Sequence, residues 1–317
     1  MPTYGKHGLE LSVNTAGASL QNFSRVATFA DGGFVVVWET TDTAADGSGG
    51  AIKAQRFDSA GAKLGGEFLV NSSFAALQSL SAVTSFADGS FAVAWTTDDP
   101  LGDGNGRGIK ARLFGASGAP TGPEFVVNTT AAGNQVSPTM TTLTNGNFLV
   151  SWSDGYFGEV YARLFTANGT ALGNDFRVNT NMEGNQNSVA VSALAGGGFV
   201  ATWRSANTAD DGNGESVKGQ LFDANGAKVG SEFLVNTGKF GHQNDPAVAT
   251  LAGGGFVVAW VTSQSEDGSG STLKMQMFSA TGAKAGVERR VNTEGFSSQE
   301  QPVVTALPDG GFMIAWT

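Results

Sequence analysis

The chain contains no cysteine. That excludes disulfides, thiolate metal sites and cysteine nucleophiles together, while leaving the compartment open. Two histidines, His7 and His242, offer little for imidazole catalysis. Basic residues are in the minority, 18 against 28 acidic ones, for a formal net charge of −10. An acidic surface repels phosphate backbones, so a nucleic-acid partner is disfavoured. No stretch approaches a transmembrane length of apolar residues, which argues against membrane insertion. The opening MPTYGKHGLELSVNT has no apolar h-region, so an exported form would not use a cleaved N-terminal signal in this chain. G-x-S-x-G, phosphate-binding loops and H-E-x-x-H are absent as well.

Proline is also scarce, at 8 residues, whereas glycine reaches 46. Glycine without a collagen period calls for many tight turns. Hydrophobic residues make up 40% and aromatic residues 10%, enough to build a core. They fall into a repeat. A "VN" asparagine is followed seven residues later by glutamine: Asn14/Gln21, Asn71/Gln78, Asn128/Gln135, Asn179/Gln186, Asn236/Gln243 and Asn292/Gln299. Seventeen residues after each glutamine stands a tryptophan, and all six tryptophans are used this way, at 38, 95, 152, 203, 260 and 316. The tryptophan-to-tryptophan steps are 57, 57, 51, 57 and 56 residues, a period that marks a repeat architecture.

Each unit reads as four short strands. "AVATL" is strand a and, after a Gly-rich turn, "FVVAW" is strand b. A longer Asp/Gly loop leads to strand c, "IKAQRF", and a second turn to strand d, "EFLV". No segment sustains a helical period. The expected fold is all-β: a β-propeller of about six blades with four antiparallel strands each, forming one domain over 1–317. The units run approximately 9–57, 66–114, 123–165, 174–222, 231–278 and 287–317. The chain starts in a strand d, which suits a ring whose first strand completes the last blade. Unit six stops after strand b, so the last blade is expected to be incomplete, with self-association through it as one consequence, or the chain is a fragment of a longer protein, or another chain supplies the strand.

The tryptophans and the asparagine–glutamine pairs fit two roles. They could line a ligand surface, or they could seal blades and satisfy turns. The b–c loops carry "DG-[SN]-G" and share a face with the d–a links. Their oxygen donors suit Ca²⁺, with Asp46, Asp103, Asp211 and Asp267 as candidate metal ligands. Asp42, Asp99, Asp210, Glu266 and His242 are candidate ligand-binding residues nearby. Asp-Gly is equally a good turn, so the loops support both readings. The c–d turns, with Lys63, Lys228 and Lys284, should make the opposite face the less acidic one. No catalytic residue can be named. The clearest departures from repeat symmetry are the short third b–c loop and the missing last strand.

The runs "DGGFVVVW…IKAQRF…GGEFLVNS" and "GGGFVVAW…KMQMF…VNT" resemble the GGFVVxW-type repeats of large bacterial extracellular proteins. In those proteins such repeats often precede hemolysin-type calcium-binding nonapeptides. The resemblance spans residues 9–317 and implies type I export and an extracellular location. The nonapeptide itself is absent here. Three functions fit this reading. One is a secreted, non-catalytic binding or adhesion module presenting its acidic face to a glycan or protein, with Ca²⁺ ordering the loops. Another is a propeller hydrolase acting on a glycan or phosphoester with carboxylates at the ring centre. The last is a structural spacer.

Overall fold

The computed structural model describes residues 10–15, 19–42, 47, 50–72, 76–99, 106–130, 133–155, 158–207, 209–210, 212, 214–238, 241–264, 270–293 and 298–317. Among these there is no helix, and so none able to cross a membrane. The strands form six sheets. Blade one comprises β1 (Gln21–Thr28), β2 (Phe34–Thr40), β3 (Ala51–Phe57) and β4 (Lys63–Leu69). Blade two comprises β5 (Gln78–Ser85), β6 (Phe91–Thr97), β7 (Gly108–Phe114) and β8 (Phe125–Val126). Blade three has β9 (Gln135–Thr142), β10 (Phe148–Asp154), β11 (Glu159–Phe165) and β12 (Phe176–Arg177). Blade four has β13 (Gln186–Ala193), β14 (Phe199–Ser205), β15 (Ser216–Phe222) and β16 (Lys228–Leu234). Blade five has β17 (Gln243–Thr250), β18 (Phe256–Thr262), β19 (Thr272–Phe278) and β20 (Lys284–Arg290). Blade six holds β21 (Val303–Ala306) and β22 (Phe312–Ala315).

Within each blade the strands are antiparallel and adjacent in chain order, so the protein is a β-propeller with five complete blades and an incomplete sixth. The first strands of successive blades touch one another and line a central cavity. The register pairs Gln21 with Thr40 and Thr40 with Ala51 at one end of blade one. The links into first strands and the loops between second and third strands therefore share one face.

The core lies between blades. Second strands carry apolar residues on both sides because both sides face a neighbouring blade. Val35, Val37, Ile52, Ala54 and Val70 of blade one pack on Phe91, Val93 and Trp95 of blade two. The phenylalanine opening each second strand stacks on the one closing the third: Phe34 on Phe57 at 4.7 Å, Phe199 on Phe222 at 4.6 Å. Turns between strands need a positive φ. Gly198, at φ +77°, also lies so close to Phe222 that a Cβ would sit 2.1 Å from its carbonyl oxygen.

Residues 10–14 stand against blade one, beside no hydrogen-bonded neighbour in a sheet. Leu11 sits over Gly61 as Phe68 sits over Gly118 and Phe125 over Gly169. The amide of Thr15 donates to Glu67, as that of Ser72 donates to Glu124. Residues 10–14 thus stand to blade one as the fourth strands of blades one and two stand to the blade that follows each.

Candidate functional site

The repeated polar residues hold the blades together. Trp95 Nε1 donates to Gln78 Oε1 at 2.7 Å, and Trp203 and Trp260 do the same to Gln186 and Gln243 at 3.0 and 2.9 Å. Asn71 Oδ1 accepts the amide of Ile52 at 2.9 Å, as Asn128 does for Ile109 and Asn236 for Val217. Here a side chain replaces the backbone acceptor that a strand end would lack. Of the two roles open to these residues, the structure supports sealing.

The b–c loop acids divide. Asp46, Asp103, Asp211, Asp267 and Glu266 lie outside the described residues. The other three reach a lysine on the third strand of their own blade: Asp42 to Lys53 at 3.4 Å, Asp99 to Lys110 at 2.7 Å, and Asp210 to Lys218 at 2.9 Å. Each lysine also meets a glutamate in or just before the fourth strand, Glu67, Glu124 or Glu232, at 3.2 to 3.5 Å. Burial alone would lower the Lys110 and Lys218 ammonium groups, but these carboxylates outweigh it and hold them above the ordinary lysine range. Blade three has Tyr161 where the others have lysine, matching its short loop. Lys228 and Lys284, each at the start of a fourth strand, reach across to adjoining blades. They donate to Thr180 Oγ1 at 2.7 Å and Thr237 Oγ1 at 2.8 Å, in links of the neighbouring blades. Among the described residues, no three His, Asp or Glu side chains gather to hold a metal ion.

The ring centre corrects the expectation that symmetry breaks only at the short loop and the missing strand. Two residues after each repeat glutamine the backbone turns left-handed, at Phe23, Leu80, Ser137, Ser188, Asp245 and Gln301, with φ between 48° and 55°. The strand register shifts at this point, for example between Asn22 and Arg25 and between Asn244 and Ala247. A β-bulge re-aims a side chain. Here it turns six residues, one per blade, into a central cavity of about 590 Å³. Among the described residues, only Arg25 and Asp245 bring charge to its lining.

The neighbours of the bulge also differ between blades. The residue after the repeat tryptophan caps the next blade's bulge: Thr96 Oγ1 accepts the Ser137 amide at 3.2 Å, and Glu39 accepts that of Leu80. At the same position in blade four stands Arg204, which has no acceptor to offer. It pairs with Glu215 at 3.0 Å, and its charge acts on Asp245. Burial pushes the Asp245 carboxyl above its ordinary range. Arg204 pulls it back, Glu300 pushes it further up, and the Ser188 hydroxyl favours the ionised form. Burial likewise raises Glu39, against the Leu80 amide and Arg25.

Asp245 also lines a second cavity of about 400 Å³ between blades five and six, with Asn244 and Glu300. Asn244 Oδ1, whose residue lines it, and Asn187 Oδ1 and Arg204 Nε of blade four are buried with no hydrogen-bond partner in the protein. Such atoms are costly unless a ligand or water satisfies them. His242 reaches this network from outside: its Nδ1 lies 3.6 Å from Glu215 Oε2, and the ring is largely exposed. Asp245, Glu300, Arg204 and Arg25 are functional candidates that motif reading passed over. Aligning the six units on glutamine and tryptophan exposes them, because the same positions elsewhere are uncharged except for Glu39.

No protein-family model matches the sequence, and no curated protein is similar to it in sequence. Several solved structures share its fold. A protein of unknown function from Dyadobacter fermentans superposes with a TM-score of 0.61 at 13% identity, covering 96% of this chain and 95% of that one. The NanB sialidase of Streptococcus pneumoniae gives 0.65 at 7% identity, over 96% of this chain and 67% of that one. The α-L-arabinofuranosidase Arb93A of Fusarium graminearum gives 0.62 at 11% identity, over 93% and 88%.

Proposed function

We propose that this chain is a glycan-cleaving propeller whose reaction centre is Asp245 at the edge of the axial cavity. The observation that carries this reading is the environment of Asp245. It is a carboxyl found in one blade only, set on a left-handed bulge that aims it at the axis, open to the cavity yet desolvated enough by its walls for its pKa to be raised. A glycoside hydrolase needs one carboxyl kept protonated as general acid and a second in a different environment. Glu300, exposed on the next blade and lining the same side cavity, is the second carboxyl. Asp245 would protonate the leaving oxygen, and Glu300 would activate water or attack the sugar. Arg204 and the two asparagines would hold ring hydroxyls. Two neighbours of the fold, a sialidase and an arabinofuranosidase, are glycoside hydrolases. That supports the substrate class, while their low identity carries none of their residues over. A glycan substrate also agrees with the extracellular location implied by the repeat resemblance.

The test is a panel of chromogenic glycosides and oligosaccharides with the native chain, Asp245→Asn and Glu300→Gln. The native chain should cleave at least one, with kcat falling as pH rises through the elevated Asp245 pKa, because the acid must start protonated. Asp245→Asn should lose about 100-fold or more in kcat while retaining ligand binding. Saturable glycan binding without turnover, unchanged by Asp245→Asn, would assign the chain to non-catalytic recognition instead.

A further inference from the structure

The six bulge residues of the axial cavity divide by character. Phe23 and Leu80, in blades one and two, form an apolar arc, and the bulge residues of blades three to six are polar. A left-handed backbone suits Asn, Asp or Gly, and a bulky apolar residue adopts it at a cost. Packing does not offset that cost for Phe23. Its side chain is 47% exposed, and among the described residues it makes no ring contact and joins no core cluster. An outlier of this kind on a cavity wall points to a partner outside the chain.

Two residues further along the first strand the wall breaks symmetry again. Arg25 stands where the other blades carry Ala82, Thr139, Ala190, Ala247 and Val303, and all of these line the cavity. The Arg25 guanidinium donates to the adjoining Ser24 carbonyl at 3.0 Å, which leaves most of its N–H donors uncommitted. Its charge acts on Glu39, but that carboxylate already accepts the Leu80 amide, and among the described residues Arg25 forms no ion pair. In a chain of net charge −10, this is a cation kept on the axial wall.

We infer that the axial cavity takes a sugar bearing a carboxylate, such as a uronic acid unit, with Arg25 gripping the carboxylate and Phe23 and Leu80 against an apolar face of the ring. The inference rests on the glycan reading of the cavity and narrows it. A planar guanidinium matches a carboxylate in a paired, fork-like contact. A sugar ring shows C–H groups on its faces and hydroxyls around its edge. An apolar arc on one part of the wall, with Ser137, Ser188 and Gln301 on another, serves both. The reaction needs Asp245 protonated, and in that state it does not repel an anionic substrate.

The test is calorimetric binding to the whole chain and to its Asp245→Asn variant. The probes are matched pairs: oligogalacturonate against galactose oligomers, and glucuronic acid oligomers against glucose oligomers. The acidic member of at least one pair should bind about tenfold tighter, the scale of one charge-assisted contact, and the advantage should shrink as salt rises. Arg25→Gln should remove the advantage and Arg25→Lys should keep part of it. Phe23→Asn should weaken both members of a pair without lowering Tm, because asparagine accepts the left-handed backbone. Equal affinity within every pair, or an acid preference that survives Arg25→Gln, overturns the inference and leaves the glycan-cleaving reading standing. Acid-selective binding lost in Arg25→Gln, with no cleavage by the native chain, upholds the inference against the hydrolase. Binding to no member of any pair overturns the inference, and cleavage of some other glycoside would then keep the hydrolase reading alone.

Discussion

Lys110 Nζ lies 2.7 Å from Asp99 Oδ2, and the aspartate is only 4% exposed. The acid of an Asp-rich loop is thus spent inside its own blade. Removing one member of a buried pair leaves an uncompensated charge. Asp99→Ala should cost about 3 kcal/mol in urea denaturation. The double variant Asp99→Ala/Lys110→Met should recover a large part of that loss. A cost near zero for the single variant would show that water reaches the pair.

Asp245 should make stability depend on pH. Its folded pKa is raised, so its contribution is fully present below the unfolded value and is lost as pH rises through the folded one. Asp245→Asn removes that loss and tolerates the left-handed backbone. Thermal melts should show Asp245→Asn more stable than the native chain at neutral pH, with the two converging toward acid. A constant difference across pH would show that folding does not raise the carboxyl's pKa.

One motif residue should behave differently at two sites. Trp95 is fully buried, whereas Trp316 is half open to solvent. Trp95→Ala should cost about 4 kcal/mol through the cavity it leaves. Trp316→Ala should cost well under half of that, measured by the same denaturation. Similar costs would mean that Trp316 is covered in solution.

Gln78→Leu keeps the volume near Trp95 but leaves its Nε1–H buried without the acceptor now 2.7 Å away. The expected loss is about 2 kcal/mol, the cost of an unsatisfied buried donor. Guanidinium denaturation measures it, and a neutral result would require water to have replaced the glutamine.

Two glycines with positive φ separate strain from clash. At Gly254 a Cβ would meet nothing within 4 Å, so Gly254→Ala should cost about 1 kcal/mol for the left-handed backbone alone. At Gly198 the added carbon would meet the Phe222 carbonyl, and Gly198→Ala should cost about 3 kcal/mol or more. Equal melting temperatures for the two variants would contradict the close approach.

Local pattern was enough for the architecture. Alternating residues such as those of "FVVVW" and "IKAQRF", Gly-rich turns between them, and a glutamine always seventeen residues before a tryptophan specify strands, blades and their sealing bonds. Each of these acts within one unit or between adjoining units, so its period survives in the linear chain. The site is not periodic. Arg25, Arg204, Asp245 and Glu300 come from blades one, four, five and six. What brings the first and third of them to one cavity is the arrangement of first strands around it, together with a bulge whose left-handed residue can be Phe, Leu, Ser, Asp or Gln. Nor does an Asp-Gly loop reveal that its Asp99 is held by a lysine eleven residues on. That depends on two strands pairing in register and shutting water out, which strengthens one contact and closes off the rest.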